Sequence, residues 1–87
     1  MSSFLEMEIA RVRDEVEARL GAMGRKNRRR AIRRMCDCDD AAEVVRRRLA
    51  ASGEISDDVW AREMALVDAP YYAAMELWPQ DCPHADD

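Results

Sequence analysis

Three cysteines and one histidine are all the sulfhydryl and imidazole groups in this 87-residue chain, and they form two pairs of identical spacing, Cys36-Asp37-Cys38 and Cys82-Pro83-His84. Three thiolates and one imidazole make a complete tetrahedral shell for zinc, with no position left for a substrate. The metal expected at Cys36, Cys38, Cys82 and His84 is therefore structural, a clip that ties the C-terminal tail to the middle of the chain. Side chains two apart on a helix project to opposite sides, so each pair needs extended or turning backbone to chelate. The sequence offers a break at both places. Asp40-Ala41-Ala42-Glu43 has the spelling of a helix start just after the first pair, and Pro79 and Pro83 flank the second. A structural zinc site contributes on the order of 10 kcal/mol to folding, which is large for a core this small.

The order Cys-x-Cys then Cys-x-His resembles the ligand pattern of SWIM-type zinc modules, which are associated with nucleic-acid and protein interaction. Here 43 residues separate Cys38 from Cys82, and they carry helical patterning. Two other fates are open to the thiols: inert packing in the core, or pairing of Cys82 with Cys36 or Cys38 under oxidation. An odd number of cysteines and an N-terminus without an apolar leader predict a cytoplasmic, reducing setting.

Next to the first cysteine pair lies a dense basic run. Residues 25–34 hold seven cations and no anion, whereas residues 54–87 hold nine carboxylates and one arginine, within a net charge of −4. At about 100° per residue, Arg25, Lys26, Arg29, Arg30, Arg33 and Arg34 fill one half of a helix. Ala31, Ile32 and Met35 fill the other, with Arg28 at the border. Arginine's planar fork suits phosphate, and such segments enter RNA grooves or track a phosphate backbone. The rival reading is a solvated face neutralised by the acidic remainder of the chain or by a second copy in a homodimer.

Positioning these groups falls to helices. Ala, Glu, Arg, Met and Leu dominate, glycine and proline number three each, and no segment alternates as a half-buried strand would. The expected fold is all-α, a single domain spanning 1–87 and built as a compact bundle of four to five short helices. A first helix opens at the capping box Ser3–Glu6 and buries Leu5, Ile9, Val12, Val16, Leu20 and Met23. The basic helix covers about 25–35. A third helix follows the thiols and ends at Gly53. An acidic helical hairpin and tail cover about 54–87, entered at Ser56, restarted at Asp68 and Pro70, and stopped at Pro79. No apolar run approaches the roughly 20 residues that span a bilayer, so no membrane partner is expected.

Catalytic signatures are missing: the chain has no glycine-rich phosphate loop, no nucleophile elbow and no second histidine. A helix-turn-helix around Gly53 would begin its reading helix with Asp57 and Asp58, which repel phosphates. The expectation is a small, non-enzymatic regulatory protein that contacts RNA or nonspecific duplex through its arginine-rich helix. The alternative is a protein-binding inhibitor or adaptor, resembling antitoxins and phage inhibitors in size and charge, whose acidic C-terminal half docks on a basic partner surface.

Overall fold

The computed structural model describes residues 3–53 and 55–83. They form three α-helices, α1 (Phe4–Gly21), α2 (Arg25–Ser52) and α3 (Asp57–Leu77), and a final 3-10 turn over Pro79–Asp81. No strand occurs among the described residues. The fold is all-α as expected, but three helices stand where four to five were expected. Two predicted breaks are absent.

The first is at Cys36–Asp40, which lies inside α2. The segment has no glycine or proline, and each Asp or Cys costs at most about 0.7 kcal/mol against Ala in a helix interior. A break would instead leave about eight backbone groups without helical partners. The residues taken for a cap serve mid-helix. Asp40 Oδ2 accepts from the Cys36 thiol at 4.0 Å, and Glu43 pairs with Arg46 and Arg47 at 3.6 and 3.7 Å.

The second is at Asp68–Pro70, which lies inside α3, so the acidic segment forms one helix and not a hairpin. Pro70 has no N–H, and the Leu66 carbonyl loses its i+4 donor. Leu66 is half-exposed, so this stretch of α3 lies at the surface of the bundle.

The remaining boundaries follow their sequence cues. Ser3 Oγ accepts from the Glu6 amide at 3.1 Å, and Ser56 Oγ accepts from the Val59 amide at 3.4 Å. Gly53 ends α2 at φ 71°, the one positive φ among the described residues. That left-handed position disfavours any side chain with a Cβ.

Side-chain contacts fix the helix directions. Arg62 lies over the Phe4 ring at 4.9 Å, Arg13 pairs with Glu76 at 2.6 Å, and Gly21 faces the Trp78 ring, so α1 and α3 run the same way. α2 runs against both. Its first turns meet Trp78 and Asp81, and Arg46, Leu49 and Ala50 near its end meet Ile55 and Trp60. The result is an up-down-up bundle whose 43 Å long axis matches the roughly 42 Å length of a 28-residue helix. One core joins all three helices and the tail: Val12, Val16 and Leu20 from α1, Ile32 and Cys36 from α2, Ala69, Tyr71, Ala73 and Ala74 from α3, and Cys82. α1 packs mainly on α3, where the alanines permit close approach. The predicted α1 stripe is the buried one, with Leu5, Ile9 and Met23 at its margins.

Candidate nucleic-acid interface

α2 starts after Gly24 without a side-chain cap and with no acidic residue in its first turn. Its seven early cations divide into three groups by surroundings. Arg28 turns inward. Its guanidinium lies over Trp78 at 5.1 Å, its Nε donates to Asp81 Oδ2 at 3.0 Å, and its Nη1 donates to the Met23 carbonyl at 3.4 Å. Arg25 reaches the same carboxylate from outside, donating from Nε to Asp81 Oδ1 at 3.3 Å while 67% of its side chain stays exposed. Lys26, Arg29, Arg30, Arg33 and Arg34 are exposed.

Asp81 is buried, with 7% of its surface exposed. Burial alone would raise its carboxyl pKa, but hydrogen bonds and charge from Arg28 and Arg25 outweigh that and hold it below the ordinary carboxylate value. The carboxylate pins the C-terminal strap, Pro79–Pro83, against the start of α2.

An open groove of about 600 Å³ runs between strap and helix. Arg25, Lys26, Arg29, Arg30 and Arg33 form one wall, and Asp81, Cys82 and Pro83 form the other. Five of the six predicted nucleic-acid residues therefore share one concave surface. Arg34 is exposed on the same helix. The later arginines Arg46 and Arg47 pair with Glu43. Neither Asp81 nor Trp78 was among the site residues singled out from the sequence. Neither carries a local signal, because their partners lie about 50 residues away.

The thiols separate. Cys36 is buried, while Cys38, two positions along the uninterrupted α2, is exposed. The non-helical backbone expected at Cys36–Cys38 is not there, and the two side chains diverge around the helix. Cys82 is buried in the core that includes Cys36. Burial, then the charges of Asp81 and Cys36, push its thiol pKa up, which makes it a poor nucleophile. Tyr71 packs beside both and shares a hydrogen bond with Cys36. His84 lies outside the described residues. Among those described, no group of three or more His, Cys, Asp or Glu side chains is placed to hold a metal ion. No described helix is long and apolar enough to cross a membrane.

A second polar contact joins α2 to α3 further along, where Asp39 is hydrogen-bonded to Asp68. Asp68 Oδ1 is buried without a hydrogen-bond partner among the described residues. Burial and then Asp39 push the Asp68 carboxyl up to about 7; Glu43 acts in the same direction and Arg46 opposes.

No protein-family model matches the chain, and no curated protein or solved structure is significantly similar to it.

Proposed function

We propose that this chain is a small, non-enzymatic regulatory protein that contacts nucleic acid, RNA or nonspecific duplex, through Arg25, Lys26, Arg29, Arg30, Arg33 and Arg34. One observation carries the reading: five of these cations line a single open groove on one helix. Clustered guanidinium groups beside open space are suited to phosphate, which they bind bidentately. Binding of this kind is electrostatic, sequence-tolerant and steeply weakened by salt.

The test is a titration of labelled RNA and DNA at about 50 and 200 mM salt, a range over which six to ten phosphate contacts lose about 10³- to 10⁵-fold in affinity. The expected outcome is binding at low salt, with a steep slope that is lost when Arg29, Arg30, Arg33 and Arg34 are changed together to glutamine. No binding at low salt would sink the reading.

That result would leave the protein-binding inhibitor or adaptor. It is favoured by Val59, Leu66 and Val67, about half exposed on α3 in company with Asp57, Asp58 and Glu63. Zinc belongs to the proposal only in a narrower form, on the buried Cys36 and Cys82 together with His84, because Cys38 diverges from Cys36 around α2. About one equivalent of metal in the purified protein, together with a melt that falls on chelation, supports it. Sub-stoichiometric metal and an unchanged melt remove it.

A further inference from the structure

We propose that Asp81 marks a phosphate subsite at the mouth of the groove, and that Arg25 exchanges from the Asp81 carboxylate to a phosphodiester of the bound strand. This rests on the nucleic-acid reading above and names the position at which the ligand meets a resident competitor.

The two guanidinium groups on Asp81 are not equivalent. Arg28 is held on three sides, by the Trp78 ring, the Met23 carbonyl and Asp81 Oδ2, and its side chain is only 17% exposed. It is the fixed latch of the strap. Arg25 meets Oδ1 at a longer 3.3 Å and remains 67% exposed, with Lys26 and Arg29 beside it along the groove wall. Only the arginine half of this pair lies in solvent, and Arg25 makes a single contact where Arg28 makes three, so Arg25 is the one free to leave. A phosphate entering between Arg25, Lys26 and Arg29 offers Arg25 an anion of the same charge and fork geometry. Arg25 therefore swings to the ligand while Arg28 keeps the strap in place. In the unliganded protein Asp81 withholds one cation from the groove, and this sets affinity lower than the five lining cations alone would give.

A double-mutant cycle separates this exchange from the general effect of removing a negative charge. Wild type, Asp81→Asn, Arg25→Gln and the double variant are titrated with a labelled uridine oligonucleotide at the same two salt concentrations. Asp81→Asn is expected to bind about two- to fivefold more tightly, because Arg25 no longer has to leave a carboxylate to reach the ligand. Arg25→Gln is expected to bind more weakly, with a salt slope shallower by about 0.7, one single-strand phosphate contact. In the Arg25→Gln background the gain from Asp81→Asn should vanish. An equal gain in both backgrounds means that Asp81 acts only through long-range charge, and it overturns the exchange. So does an unchanged slope in Arg25→Gln, a variant that leaves the Arg28 latch intact and stays informative if Asp81→Asn fails to fold. Absence of binding by every protein would remove the nucleic-acid reading itself.

Discussion

Asp68 and Asp81 are both carboxyls that face arginines or acids on α2, and their environments drive them in opposite directions. Burial, with Asp39 close by, raises Asp68 to about 7. Its contribution to stability is fully present below the ordinary carboxylate value of 3.8 and is lost as pH rises through about 7, when a charge forms beside Asp39 and Glu43. Asp81 is lowered despite its burial, because Arg28 and Arg25 bond to the ionised form. Its contribution is present above 3.8 and is lost as pH falls through the depressed value. Stability should therefore be greatest in mildly acidic solution. Thermal melts are expected to fall as pH rises from about 4 to about 7 and to level off above that, and each 1 kcal/mol lost corresponds to roughly 4–8 °C in a domain of this size. Asp68→Asn, which keeps a donor for Asp39 and cannot ionise, should flatten that fall and raise the melting temperature at the alkaline end. A wild-type melt that does not change across this range would contradict the assignment.

Helix continuity decides what the sequence could and could not tell. α1 was readable because a single i, i+3, i+4 stripe meets one core and Ser3 sits at its head. The start of α2 at about residue 25 and its end at Gly53 were readable, the latter because glycine suits the left-handed position that closes a helix. The interior was misjudged at Cys36–Asp40 because Asp-Ala-Ala-Glu has the same spelling at a helix start and at mid-helix, and what decides between them is the backbone of the preceding residues. Asp39 finds Asp68 only after α2 and α3 have paired. Pro70 misled for a related reason: its cost is one hydrogen bond at Leu66, and the packing of Ala69, Tyr71, Ala73 and Ala74 keeps the helix whole. Two substitutions test this. Cys38→Ala should leave the melt unchanged or raise it slightly, since alanine is favoured over cysteine by about half a kcal/mol in a helix interior; a large loss would point back to a chelating turn. Gly53→Ala should cost about 1–2 kcal/mol, the penalty of a left-handed residue with a Cβ.

At the scale of the whole molecule, stability rests on a narrow core. Its largest fully buried side chains are Leu20 and Ile32, and Ala69, Ala73 and Ala74 are buried in the same cluster. Leu20→Ala should cost about 2–5 kcal/mol by removing contacts that α3 cannot move to replace. Ala73→Leu should cost about 1–3 kcal/mol by forcing α1 and α3 apart. Either change consumes much of the 5–15 kcal/mol that natural domains hold, and denaturant titration would read both losses. The groove was half visible beforehand. The cationic wall follows from helical spacing within ten residues, while the strap wall depends on contacts between residues 53 and 56 positions apart, and no periodicity reports those.

The placement of the two indoles gives the protein a pair of native optical reporters. Trp78 lies beneath the Arg28 guanidinium at the groove end, and Trp60 sits with Leu49, Ala50 and Ile55 at the opposite end. A strand that enters beside Arg25 should alter the emission of the first and leave the second as an internal reference. In a Trp60→Phe variant the whole tryptophan emission would then come from Trp78 at the groove end.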